Sequence, residues 1–216
     1  MDFSVINIEL VAKLLLLLLI GMGPKIALVP FLEKTKHFDA ATQRAVGRRM
    51  VAIAVITALI LFAFGALLMR LLHISGGAVA VAGGIILAIL AIEMVAGHGK
   101  KAEEEEFPIT EDPQQIAVYP LAIPYLLNPV GITILIIASD EVVSIASVAL
   151  VVGLVLLVGA FDYLIFANID KLSKRLNPTS LVISEVVFGL LLTAVAVQLT
   201  VTGLSSLGII APTSAH

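Results

Sequence analysis

The residues best placed to do chemistry in this chain sit at two interruptions of otherwise apolar stretches. Gly21-Met22-Gly23-Pro24-Lys25 breaks the run from Ile8 to Leu32, and Leu127-Asn128-Pro129-Val130-Gly131 breaks a second run, with Thr133 just beyond it. Glycine weakens a helix, and proline lacks a donor and clashes with the preceding turn. A break at membrane depth frees N–H and C=O groups that lipid cannot satisfy, so it persists only inside protein or beside a wet cavity. Lys25 would place a cation at a half-helix N-terminus, where free N–H groups and the positive dipole end already suit an anion such as a carboxylate. The alternative is that Lys25 reaches the aqueous interface or pairs with an acid such as Glu93 or Asp162. Asn128 and Thr133 offer donors and acceptors to an ammonium or amide; their other role would be to satisfy the backbone groups freed by Pro129. Glu185, about a third of the way into the last apolar stretch, is the candidate coupling carboxylate, because ionisable groups inside a span are functional candidates by default. Glu93 and Asp162 lie near span ends and fit solvated or lysine-paired roles, and Lys13 fits snorkelling. The candidate substrate-binding set is therefore Gly23, Pro24, Lys25, Asn128, Pro129, Gly131 and Thr133, with Glu185 for coupling.

The elements that must position these residues are membrane spans. Of 216 residues 60% are apolar and only 13% charged, which is outside the range of soluble domains. At about 20 apolar residues per crossing, six spans are expected, over 8–32, 46–69, 74–97, 116–138, 142–168 and 178–203. The fold class expected is an all-α integral membrane protein with six transmembrane helices, broken in spans one and four. The N-terminus has no basic region or small-residue cleavage site, so the first apolar stretch reads as a retained span. Residues 98–115, with four consecutive glutamates and two prolines, read as a charged linker between a first three-span unit, 1–97, and a second, 116–216. The glycines of span three, Gly76, Gly77, Gly83 and Gly84, form a small-residue face that would serve an intrachain contact or a homo-oligomer equally well.

Sliding the chain by 105 residues places Pro24 on Pro129, Arg70 on Arg175, Gly84 on Gly189, Ala91 on Ala196 and Glu93 on Gln198. Three spans per unit is an odd number, so the second unit would cross in the opposite sense, the inverted repeat on which many secondary transporters are built. The loops after spans one, three and five carry ten of the lysines and arginines, against Arg70 alone on the other side. This bias places those loops in the cytoplasm and both termini outside. The net charge of −3 comes with no basic face, which disfavours nucleic acid. The chain has no cysteine, which excludes thiolate metal sites and Cys nucleophiles. Hydrolase, metalloprotease and phosphate-loop motifs are missing from the sequence, so no enzyme activity, cofactor or metal centre is expected.

Pro120-Leu121-Ala122-Ile123-Pro124 followed by Asn128-Pro129-Val130-Gly131-Ile132-Thr133 resembles the signature of MarC proteins, which include a group of small neutral amino-acid transporters. Ala82-Gly83-Gly84-Ile85 through Ile92-Glu93-Met94 is similar to that family's third span, and Gly23-Pro24 through Pro30-Phe31 to its first break. Gly23 stands where the family usually has Asn, Lys25 and Ile26 where it favours apolar and Gly residues, and Asn128 where it usually has Gly. The resemblance implies a six-span inner-membrane protein moving small neutral amino acids such as glycine and alanine. The expectation is a secondary transporter in the cytoplasmic membrane that works by alternating access, its partners a small-molecule substrate and the lipid bilayer. The alternatives are an exporter or flippase of another small or lipid-linked substrate or a metal ion, and a non-transporting scaffold.

Overall fold

Where the apolar stretches predict helices, the computed structural model has them; it describes residues 6–96, 112–169 and 178–211, the side chains of 178–182 and 185 excepted. Helices α1 (Ile8–Met22) and α2 (Pro24–Thr35) make the first span; α3 (Ala40–Leu72) and α4 (Gly76–Ala96) follow. After the linker come α5 (Pro113–Ile116), an irregular segment Ala117–Leu126, and α6 (Pro129–Glu141), then α7 (Ile145–Ala167) and α8 (Pro178–Ser206). Among the described residues five segments are long and apolar enough to cross a membrane, and the bent pair around Asn128, taken as one span, makes a sixth. The protein is an all-α integral membrane protein. Residues 98–111 of the expected linker lie outside the described residues.

Polar caps and prolines set the helix ends. Asn7 accepts from Leu10 N–H at 2.8 Å and Asp39 from Thr42 N–H at 3.2 Å, and Ser144 and Ser147 cap α7 reciprocally. Asp39 starts α3 six residues before the expected span, so Arg44, Arg48 and Arg49 ride on a helix that continues beyond the apolar run. The break expected in span 116–138 divides it into an irregular segment and a separate helix. Prolines disfavour helical backbone in the preceding residue, and Tyr119 (φ −133°, ψ 129°) and Ile123 (φ −135°, ψ 124°) are indeed extended, with cis bonds to Pro120 and Pro124. Helix α6 then leaves at 71° to the segment before it, whereas α1 and α2 stay in line as one 28-residue span.

Two apolar cores hold these pieces. The larger gathers α1, α3, the irregular segment and α7 around Leu14, Leu18, Met50, Ala54, Leu121 and Phe166. The smaller joins α4 and α8 through Leu87, Ala91, Leu192 and Ala196, and takes in Ile26 of α2 with Val130 and Ile134 of α6. The broken helices thus lie in the seam between the two. The glycine face of α4 is spent within the chain: Gly77 backs onto Gly203, and Gly84 onto Ala196 and Thr200. Outward faces are apolar, with Ile56, Ile60, Phe64 and Leu67 of α3 and Ile85, Ile89 and Ile92 of α4 exposed, as suits lipid contact.

Element starts separated by 105 residues correspond: Ile8 with Pro113, Pro24 with Pro129, and Ala40 with Ile145. The α4–α8 contacts are reciprocal in that register, since Gly84 meets Ala196 and Gly189 meets Ala91. A side chain at Gly84 would sit 2.8 Å from the Ala196 carbonyl, whereas one at Gly153 on α7 meets nothing within 4 Å. Gly84→Leu should therefore force α4 and α8 apart and lower stability by about 1–3 kcal/mol, as overpacking does. Gly153→Ala should raise it by up to about 1 kcal/mol through helix propensity. Thermal unfolding in detergent reads both, and equal effects from the two variants would refute the assigned packing.

Candidate functional site

Where the two breaks meet, one residue ties the chain together. Asn128 is fully buried. Its backbone N–H donates to the Gly21 carbonyl at 2.9 Å and its side-chain amide donates to the Ile20 carbonyl at 2.7 Å. Its Oδ1 accepts from Val130 N–H at 2.9 Å and Gly131 N–H at 3.4 Å, making it the N-cap of α6. The last carbonyls of α1 and the first amides of α6 are thus satisfied by the same residue. Glycines permit the approach: a side chain on Gly21 would strike the Gly131 backbone, and one on Gly131 the Gly21 carbonyl. Pro24 and Pro129, both buried, open α2 and α6 at the first helical position, where a missing donor is tolerated.

The two half-helix starts differ. Asn128 caps α6, whereas Gly23 (φ −84°, ψ 162°) opens α2 with no side-chain cap. Lys25 is exposed beside this uncapped start, and its ammonium lies 4.1 Å from the centre of the Phe188 ring on α8, a cation–π contact. Glu185 precedes Phe188 by three residues on α8, and its side chain lies outside the described residues. Thr133 is buried on α6 with its hydroxyl against Gly83 of α4. The structure therefore brings Gly23, Pro24, Asn128, Pro129 and Gly131 to one junction, turns Lys25 toward α8 and Thr133 toward α4, and leaves no room between the breaks themselves.

An open space lies beside the junction along α2. A cavity of about 200 Å³ is lined by Ile26, Pro30, Glu33 and Lys34 of α2, Leu90, Glu93 and Met94 of α4, and Tyr125. Apolar side chains line part of it, and it offers one ammonium and two carboxylates. Glu33, Lys34 and Tyr125 were not singled out by sequence, because a charge near a span end reads the same whether it snorkels or lines a vestibule. Asp162 is the other residue missed: it is fully buried and neither carboxylate oxygen has a hydrogen-bond partner, against the expectation of solvation or a lysine partner.

Removing the tie isolates its value. Asn128→Ala leaves the Ile20 carbonyl without its donor and α6 without its cap, and should cost about 1–3 kcal/mol of stability. Asn128→Asp retains the cap acceptor but loses the donor and adds a charge, so it should be no better than alanine. Thermal unfolding of both variants tests this, and a neutral outcome for alanine would contradict the bridging role.

The sequence matches the model of the MarC family of integral membrane proteins over residues 8–207. A UPF0056 membrane protein of Methanocaldococcus jannaschii is 29% identical over 184 residues, covering 85% of this chain and 90% of the relative. The UPF0056 membrane protein YvbG of Bacillus subtilis is 27% identical, covering 82% and 85%. The UPF0056 inner membrane protein YhgN of Escherichia coli is 27% identical, covering 91% and 96%. No solved structure matches the chain. With broken spans joined through buried glycines and with a family match that runs from the first turn of α1 to the end of α8, the chain belongs to the MarC family of integral membrane proteins.

Proposed function

We propose that the protein is a secondary transporter of small neutral amino acids, working by alternating access across the cytoplasmic membrane. The observation that carries this reading is the cavity beside the broken first span, lined by Lys34 and Glu33 of α2 and Glu93 of α4 together with apolar side chains. A neutral amino acid is a zwitterion with a small apolar side chain. Lys34 suits its carboxylate, and Glu93 with Glu33 suits its ammonium.

The packing asymmetry supports alternating access. Helix α6 is packed along α1, α3 and α4, whereas α2 packs mainly on the irregular segment and only marginally on α8. At the far end of α6, Gly65 of α3 fits against Ile136 and Ser139, and Arg70 reaches Asp140 at 3.5 Å. At the basic end the cavity opens beside α2. In an inverted repeat, α2 and α6 are equivalent elements, and unequal packing of equivalent elements is what one end state of a rocking transporter requires. The shared 105-residue register of element starts and the reciprocal α4–α8 contacts favour that repeat. The bias of basic residues toward the loops after spans one, three and five supports a cytoplasmic cavity mouth and both termini outside.

Counterflow of labelled glycine and alanine in proteoliposomes tests the reading. Wild type should show saturable exchange, and Lys34→Ala and Glu93→Gln should each raise KM by about tenfold or more, as the loss of a charge-assisted hydrogen bond predicts. Absence of saturable flux for either amino acid would overturn it. Orientation has its own test, since the chain contains no cysteine. In cells, Lys36→Cys should react with an impermeant maleimide only after permeabilisation, and Val143→Cys without it; the reverse pattern would invert the topology.

A further inference from the structure

The largest unexplained cost in the membrane-embedded structure is Asp162. It lies on α7, five residues before that helix ends at Ala167, and its relative exposure is 0%. Its level in the bundle is set by its neighbours on the same helical face. Gly159, three residues earlier, packs on Val55, and Phe166, four later, packs on Gly47 and sits 5.0 Å from the Phe31 ring. The carboxyl is thus held in the interface of α7 with α3, level with Val51 and Ala54, both of them buried. Neither oxygen accepts a hydrogen bond.

An isolated carboxylate in such a place is too costly to persist as an ion. The charged groups on the packed elements do not relieve it by hydrogen bonding: these are Arg44, Arg48 and Arg49 of α3, Glu9 and Lys13 of α1, and Lys34, one turn beyond Phe31 on α2. Arg48 instead lies over the ring of Tyr163, 5.9 Å from its centre. A metal ion or sodium would need several further oxygen ligands. The other buried polar side chains among the described residues are Thr35, Asn128, Thr133 and Ser147. Thr35 bonds the Phe31 carbonyl, Asn128 and Thr133 belong to the seam at α6, and Ser147 caps the opposite end of α7. A proton needs no other ligand and no cavity.

We propose that Asp162 is a proton-binding site in the interface between the first-unit helix α3 and the second-unit helix α7, neutral while that interface is packed and ionised when it opens to water. This rests on the alternating-access reading, because relative movement of the two units is what exposes the carboxyl. Proton binding then favours the packed state and proton release the open one, so the movement that carries substrate also carries a proton. The balance is one proton taken up from water by the carboxylate and one returned on release, with no other bond made or broken.

Two measurements test the site. Infrared difference spectra of the full-length protein in lipid, taken between acidic and alkaline buffer, should show a protonated-carboxyl C=O band that is lost in Asp162→Asn. Spectra of wild type and variant that coincide would overturn the proposal. In proteoliposomes, an imposed proton gradient should drive alanine accumulation by wild type, and in Asp162→Asn the ratio of gradient-driven accumulation to alanine exchange should fall by an order of magnitude. An unchanged ratio would also overturn it. Asp162→Leu, of similar volume and unable to ionise, replaces the asparagine variant in both assays if that variant does not assemble. If wild type carries neither glycine nor alanine, the transport reading fails while the infrared result still decides the proton site.

Discussion

A helix interrupted inside a membrane must have its freed backbone groups satisfied by protein, and here Asn128 does this for two helix ends at once. Its amide and its own N–H reach back to the Ile20 and Gly21 carbonyls that α1 leaves open, while its Oδ1 closes the start of α6. Each group alone would be expensive to bury. Joined, they convert two breaks in distant parts of the sequence into one junction. Gly21 and Gly131 follow from that constraint, because the hydrogen bonds form only if the two backbones touch. The 71° turn into α6 follows as well, since the chain must arrive across the end of α1 and leave along α3.

The junction leaves one obligation unmet, and the open space forms beside it. Helix α2 starts without a side-chain cap, next to an exposed lysine and a cavity. Three elements, α1, α3 and α4, pack on the capped α6, and two, the irregular segment and α8, on the uncapped α2. A tightly packed half-helix on one side of the seam and a loosely held one on the other are what the proposed opening at one end would need. Asn128 holds the centre through short hydrogen bonds, which suits a pivot better than a ligand.

Much of the architecture was legible in the sequence because the bilayer constrains it so strongly. Span positions followed from apolar length, and both breaks from Gly and Pro inside apolar runs. The shape of the second break was not legible. Pro120 and Pro124 announce extended residues before them, but whether the chain then continues as one span or turns depends on where Gly21 offers its carbonyl, 107 positions away. The same limit governs the site. Asn128 could be seen as polar and deep, yet its donors and acceptor were already committed to backbone, one of the two roles its position allowed. Glycine spacing on α4 showed a contact face and could not name the partners, which proved to be α8 and, at Gly83, Thr133 of α6.

Asp162 shows why depth and facing are separate quantities. Its distance from the span end suggests an accessible carboxylate, and sequence distance measures depth alone. Facing is decided by Gly159 and Phe166, which bring α7 close to α3 at both adjoining turns. A carboxyl closed in this way gains nothing structurally: an apolar residue of similar volume would pack as well without the desolvation penalty. Its presence therefore imposes a cost on the packed state that a change in protonation or in packing can relieve. In the proposed mechanism such a cost, placed between α3 and α7, links their relative position to the proton.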